Sequence, residues 1–314
     1  MSLEVYPVQK FEVRPSAITA ETTSMSAGVW KRFRRHPGAI FGSIIFGILL
    51  LMILLAPLSP YDVTTNNMAE RNQSPTSSHI MGTDALGRDL LTRVLFGGRI
   101  SLTVGLVVVG IALAIGIPVG ALAGYYGGII DTILMRITDA FLSLPSFLVL
   151  ILLGAILREV QTPLLQKNNV ATIGIVIGIL TWMTTARVVR ASILTLRELE
   201  FVSATRALGG SDLRIILAHI LPNSLGPIIV EATLELGYAI IQESGLSFLG
   251  FGIQPPTPSW GNLLSNAQDH FTTYPWLAIF PGLMIFLTII SVNFIGDGLR
   301  DAFDPYKVLE KVGE

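Results

Sequence analysis

Five stretches of this chain contain no Asp, Glu, Lys or Arg: residues 39–58, 100–130, 140–157, 168–186 and 271–296. A helix needs roughly 20 apolar residues to cross a bilayer core of about 30 Å, and each stretch is close to that length or beyond it. A water-soluble core helix rarely needs such runs. The whole chain is 51% hydrophobic and 14% charged, where a soluble protein carries about 25% charge. The 314 residues would suit two soluble domains by length alone, but the distribution of charge excludes that reading. An all-α polytopic membrane protein is expected.

A sixth span is predicted over 224–243, which is apolar but carries Glu231, Glu235 and Glu243. A charge at mid-bilayer costs a few kcal/mol even on lenient insertion scales, so these carboxylates should face protein or water. The first run, 39–58, reads as a retained anchor. It is too long for the apolar region of a signal peptide and ends Ala56-Pro57 without a small-residue cleavage pattern. Ahead of it, Trp30-Lys31-Arg32-Phe33-Arg34-Arg35-His36 suits a short helix in the headgroup layer or a plain positive flank. With six spans and a cytoplasmic N-terminus, 15 of the 21 Lys and Arg fall on the cytoplasmic side and 6 outside. That bias agrees with the positive-inside rule and places both termini in the cytoplasm. The expected divisions are a cytoplasmic segment 1–38, a first span 39–58, an outer loop 59–98, a five-span core 99–300 and a cytoplasmic tail 301–314.

Small residues recur at helical spacing. Gly116, Gly120 and Gly124 mark one face of the second span, and Gly174 and Gly178 one face of the fourth. Such faces let helix backbones approach closely in lipid. Pro118 is expected to bend the second span.

The most informative segment is 197–222, between the fourth and fifth spans. Phe201, Ala204 and Leu208 give a short amphipathic helix, which Gly209-Gly210 ends. Ser211 or Asp212 can cap a second helix with Leu213, Ile216, Leu217, Ile220 and Leu221 on one face. Pro222 is expected to close it. A rigid helix-turn-helix knob in the cytoplasm suits a part that receives force from a soluble partner.

This segment resembles the EAA loop of ABC importer permeases. The match lies at Ser203-Ala204-Thr205, Gly209 and Ile220-Leu221-Pro222, with Ser203 where that family usually has Glu and Thr205 where it has a second Ala. The resemblance runs from about residue 28 to 305. Gly82-Thr83-Asp84-Ala85-Leu86-Gly87-Arg88-Asp89, followed by 97–102, looks like the outer-loop signature of the peptide and nickel permease group, as does 247–261. Together they are similar to the second permease of a dipeptide or oligopeptide importer. The resemblance implies that Ser203, Ala204, Thr205, Arg206, Gly209, Asp212 and Pro222 contact an ATPase. It implies a second permease subunit, two ATPase subunits and an extracytoplasmic substrate-binding protein as partners, in a bacterial inner membrane. It implies alternating access driven by ATP binding. Glu243 matches a position often acidic in that family, where a structural and a gating role both remain open.

The chain lacks G-x-x-x-x-G-K-[ST] and has no Gly-Lys dipeptide at all, so no phosphate-cradling loop is expected. Residues 208–212 look faintly like the signature loop of ABC ATPases but read as a turn without that motif beside them. ATP and Mg would be used by partner subunits, with no cofactor on this chain. There are no cysteines, which excludes disulfides and thiol nucleophiles. His36, His79, His219 and His270 show no ligand spacing, and no metal site is expected. The net charge of −1 gives no argument for nucleic acid.

Glu231, Glu235, Tyr238 and Gln242 align on one helix face. Such a polar stripe either lines a substrate path, where carboxylates and Tyr meet peptide amines and amides, or lies near the interface and pairs with Arg. Asp62, Glu70, Asp84 and Asp89 read as a solvated, turn-rich loop of local caps and pairs, or as a contact for the binding protein. Two rivals stay open: a proton-driven secondary transporter working through Glu231 and Glu235, and an intramembrane enzyme, against which the lack of Cys, clustered His or paired acids speaks. Peptides, glutathione-like molecules and nickel complexes all fit as cargo.

Overall fold

The computed structural model describes residues 25–159 and 169–303. Lys10, Arg14, Lys167, Lys307 and Lys311, used in the charge count, lie outside them, as does nearly all of the predicted C-terminal tail. The described chain is helical, with one isolated bridge between Thr83 and Asp89. In order the helices are α1 (Met25–Phe33), α2 (Pro37–Leu54), α3 (Leu90–Tyr126), α4 (Gly128–Leu142), α5 (Ser146–Glu159), α6 (Asn169–Ile179), α7 (Trp182–Leu196), α8 (Glu200–Ala207), α9 (Asp212–Phe248), α10 (Trp260–Ala267) and α11 (Trp276–Phe303).

Helix starts follow from local chemistry. His36 caps α2, its Nδ1 accepting from the Ala39 amide at 3.0 Å, and Pro37 occupies the first turn, where a missing N–H costs nothing. Asp89 caps α3 through the Thr92 amide at 2.8 Å. Ser259 and Asn262 cap α10 reciprocally.

α2, α3, α9 and α11 are each long and apolar enough to cross a bilayer. The other two crossings are not straight rods. α4 and α5 meet at 74°, and α6 and α7 at 48°, so the described residues offer up to six spans when each bent pair counts as one. The apolar run 140–157 therefore does not form one helix. It breaks at 143–145, because Pro145 has no N–H and disfavours helical geometry at the residue before it. The run 168–186 breaks at 180–181, where Leu180 and Thr181 make tighter i→i−3 bonds, and α7 then continues past the charge-free stretch. Arg190 on α7 is held bidentately by Asp131 at 2.5 and 2.6 Å, and Arg187 by Asp139 at 2.6 Å. α3 continues through Pro118.

Pro222 does not close a helix either. Residues 215–220 form a π turn in which the Leu221 amide reaches back to the Ile216 carbonyl, and α9 runs through to Phe248. The wider turn accommodates a proline whose ring would clash with a regular α-helical carbonyl.

α3 is the hub, packed against α6, α7 and α9; α9 packs on α11, and α11 on α1 and α2. The glycine faces meet partners as predicted. A Cβ on Gly120 would lie 2.4 Å from the Ala186 carbonyl oxygen and 2.8 Å from Val189; Gly116 and Gly124 abut Thr185 and Ile193, while Gly174 and Gly178 abut Val107 and Ile111 of α3. Along α2, Phe41, Ile44, Ile48 and Leu51 remain exposed, as befits a lipid-facing helix. Gly120→Ala is expected to lower the thermal midpoint in detergent, at a cost of about 1–3 kcal/mol for overpacking against backbone. Gly110→Ala, on the same helix with nothing within 4 Å of the added carbon, should leave the midpoint unchanged or raise it.

Candidate functional site

The knob between α7 and α9 is built as two short elements and a turn. Gly209 ends α8 with φ of +81°, a left-handed backbone that glycine adopts without strain. Its amide donates to the Arg206 carbonyl at 3.0 Å, and the Gly210 amide to Thr205 at 3.0 Å. The apolar stripe predicted for α8 faces outward: Phe201 is 37% exposed and Leu208 89%, while Val202 anchors the helix into the core. On the second element Leu213 and Leu217 are likewise exposed, and Ile215, Ile216 and Ile220 are buried. The predicted apolar face is thus split between the core and an apolar outer surface.

Tyr125, at the end of α3, was not singled out from sequence. Its hydroxyl donates to Asp212 Oδ1 at 2.7 Å and accepts from Arg206 Nη2 at 3.3 Å, and the guanidinium lies 5.8 Å from the ring centroid. Hydrogen bonding to the Tyr125 oxygen pushes the Arg206 guanidinium above its ordinary value. Arg197 adds a bond from Nη1 to the Gly124 carbonyl at 2.7 Å. Asp212 therefore ties the knob to α3; neither it nor Ser211 caps through its side chain. Of the expected coupling residues, Ser203, Ala204, Arg206 and Gly209 are exposed and Thr205 half-buried, while exposed Pro222 lies on α9 beyond the knob.

Between the two helix breaks and α9 lies a cavity of about 330 Å³. Glu231, Glu235 and Tyr238 line it, facing Leu144 and Ser146 from one break and Thr181 and Thr184 from the other. Gln242, expected on the same face, is buried and donates to the Tyr238 hydroxyl at 2.7 Å. Among the described residues neither Glu231 nor Glu235 forms an ion pair with Lys, Arg or His. Glu235 is 7% exposed and its Oε1 has no hydrogen-bond partner there.

The outer loop is exposed over most of 60–78 and holds a buried charge network between His79 and Arg93. Asp84 accepts from the Leu86 and Arg88 amides at 2.8 and 3.0 Å and from Arg88 Nε at 2.8 Å; Arg93 Nε lies 3.4 Å from it. Arg93 is 1% exposed and donates to the Val63 carbonyl at 3.0 Å. His79 bridges Asp89 at 2.9 Å and Glu70 at 3.4 Å. Thr83 donates to the Glu70 carbonyl and accepts from the Gln73 amide. Gly82 and Gly87 complete the turns; a side chain on Gly87 would collide with the Asn67 carbonyl. Asp62 and Glu70 match the solvated reading: Glu70 accepts from the exposed Asn67 side-chain amide, and hydrogen bonds, first of all from the Thr64 hydroxyl, hold the Asp62 carboxyl down to about 2.

Glu243 is fully buried where α3, α9 and α10 meet. It accepts from Ser101 Oγ at 2.8 Å and Ser247 Oγ at 2.7 Å, and those oxygens accept in turn from the Trp260 and Ile253 amides. The carboxylate joins the segment 249–262 to the ends of two spans, which is a structural role. Ser247 lies one helical turn on, but Ser101 lies 142 residues away, and no local spacing reveals it.

Residues 116–307 match the family model described as binding-protein-dependent transport system inner membrane component. The chain belongs to that family. Residues 24–75 also match the N-terminal transmembrane domain of oligopeptide transport permease C. The permease is 43% identical over 281 residues to the dipeptide transport system permease protein DppC of Alkalihalophilus pseudofirmus, covering 88% of each chain. It is 38% identical to the oligopeptide transport system permease protein OppC of Bacillus subtilis, covering 95% of this chain and 97% of that one. It is also 38% identical to the glutathione transport system permease protein GsiD of Pectobacterium atrosepticum, over 88% and 89%. The fold is shared with an inward-facing MetNI methionine ABC transporter structure, with a TM-score of 0.50 at 20% identity over 67% of this chain and 96% of that chain. The permease is thus a multi-span membrane subunit of a type that works with an ATPase and a substrate-binding protein.

Asp84→Asn should strip buried Arg93 of its anionic neighbour. Breaking a buried pair by removing one partner costs about 3–5 kcal/mol. Protease cleavage of the outer loop within 59–89 should accelerate accordingly, and a cleavage rate equal to wild type would count against the network.

Proposed function

We propose that this permease is the transmembrane subunit of an ATP-driven importer of short peptides, paired with a second permease subunit, two ATPase subunits and an external binding protein. The exposed apolar knob around Gly209, clamped to α3 through Tyr125, is the observation that carries the reading. An apolar surface rigidly tied to a spanning helix is what a subunit without its own nucleotide site needs to receive mechanical work. The absence of a phosphate-binding loop from the sequence supports assigning ATP and Mg to the partners. The names of the relatives, for dipeptide, oligopeptide and glutathione transport, support peptides as cargo. The Lys and Arg bias supports both termini in the cytoplasm of a bacterial cell with the knob on the same side, the outer loop facing the binding protein.

In this cycle, ATP-driven closure of the partners moves the two knobs, α3 follows through Tyr125 and Asp212, and the cavity beside α9 changes the side to which it opens. The Ser203 substitution leaves Arg206, Phe201 and Leu208 to make the contact.

Uptake of a labelled dipeptide into proteoliposomes holding the full complex should require ATP and the binding protein. Uptake without ATP, driven by a proton gradient, would overturn the reading. Gly209→Pro forces φ to about −65° where the turn needs a positive value. It should reduce ATPase co-purification about tenfold, equivalent to about 1.4 kcal/mol. Tyr125→Phe keeps the ring but removes two hydrogen bonds with charged groups. ATPase co-purification should survive, while cargo moved per ATP falls several-fold.

A further inference from the structure

Two spans of this protein are broken, and both breaks open on the same face of α9. Leu144 and Ser146 from the first, and Thr181 and Thr184 from the second, wall the cavity that holds Glu231 and Glu235. Leu142 at the C-terminal end of α4, and Leu180 just beyond the end of α6, lie on this space, and helix C-termini carry partial negative charge. Every charged residue on the wall is therefore acidic, and the helix ends add to that sign. The nearest cation along α7, Arg187, is already held by Asp139 at 2.6 Å. Glu235 is more than nine-tenths buried with an oxygen that has no hydrogen-bond partner among the described residues. A carboxylate kept in an apolar span with only the Thr181 hydroxyl as a partner is costly. A cationic partner arriving from solution would explain its retention.

We propose that this cavity is a subsite for a primary ammonium group, taken from the free amino end of the cargo and seated on Glu235 with Glu231 beside it. An ammonium offers three donors, which suit the carboxylates of Glu231 and Glu235 and the hydroxyl oxygens on the same wall. Tyr238, held by Gln242 at 2.7 Å, has its ring on the wall, and Leu144 and Leu180 offer apolar surface to a cargo side chain. The proposal rests on the reading of the chain as a peptide permease. It adds that the membrane subunit itself, and not only the binding protein, checks for a charged amino end.

The chain has no cysteine, so a single introduced thiol reports on one place. Thr184→Cys, and separately Ser146→Cys, would be labelled in the detergent-solubilised assembled transporter with aminoethyl and sulfonatoethyl methanethiosulfonate. Rates are normalised to Met68→Cys on the exposed outer loop. An acidic cleft concentrates cations by about tenfold or more. The cationic reagent should therefore lead by at least about tenfold, and the lead should shrink toward one when Glu235→Gln is added. Excess dialanine should protect the thiol, and N-acetyl-dialanine should not. Equal rates for the two reagents, a preference that survives Glu235→Gln, matching behaviour of the two dipeptides, or no labelling at either position in any nucleotide state would each overturn the proposal. The labelling needs no transport, so a loss of ATP-dependent uptake, which tests the parent reading, is told apart from a loss of charge preference.

Discussion

Where α3 crosses α7, helix backbones touch through three glycines: Gly116 against Thr185, Gly120 against the Ala186 carbonyl and Gly124 against Ile193. Lipid tails are as apolar as leucine, so spanning helices gain by close packing more than by leaving their solvent. A contact this close admits little sliding, because any added carbon on Gly120 meets backbone and not a flexible side chain. α3 and α7 therefore behave as one body, and the rest is arranged around it. Gly174 and Gly178 press α6 onto the same α3. α7 is thereby fixed in place up to the point where the chain leaves for the knob.

The path from the knob to the cavity follows from that body. Tyr125 lies one residue beyond Gly124 and joins both halves of the knob through Arg206 and Asp212. At its other end, α7 begins at Trp182, beside the cavity wall formed by Thr181 and Thr184. The knob and the break that faces Glu235 are thus linked through α3 and α7 without an intervening loop. The π turn at 215–220 gives α9 a separate local adjustment between the knob and the cavity.

Much of this was legible in the sequence. The charge-free runs, the glycine faces and the turn at Gly209 each report one local requirement: hydrocarbon thickness, backbone approach, or a positive φ. What was not legible needed knowledge of partners. Pro145 was a readable signal for the first break, and its run was nevertheless too apolar to suggest an interruption. Thr181 has no proline or glycine directly beside it, so nothing marked the second break. Pro222 signalled a stop, yet a π turn carried the helix past it. Asp84, Asp89 and Arg93 looked solvated because charge usually is, and their burial depends on the fold of the whole outer loop. Glu243 had Ser247 at i+4 as its one local partner, while Ser101 stands 142 residues away. Tyr125 was one aromatic among several at a span end until the knob closed on it.

The arrangement around Glu243 has a mechanical meaning. Each of its two serines gives its proton to the carboxylate and takes an amide hydrogen from the segment 249–262, so the five groups form a single closed circuit. The Trp260 indole, bonded to the Val94 carbonyl at 2.9 Å, pins the same segment to α3. Lifting this rim by itself would take the Trp260 and Ile253 amides from their serine acceptors in a dry interior. A pull on the rim would reach α3 and α9 together, the two helices that also meet the turn at Gly209 at their opposite ends.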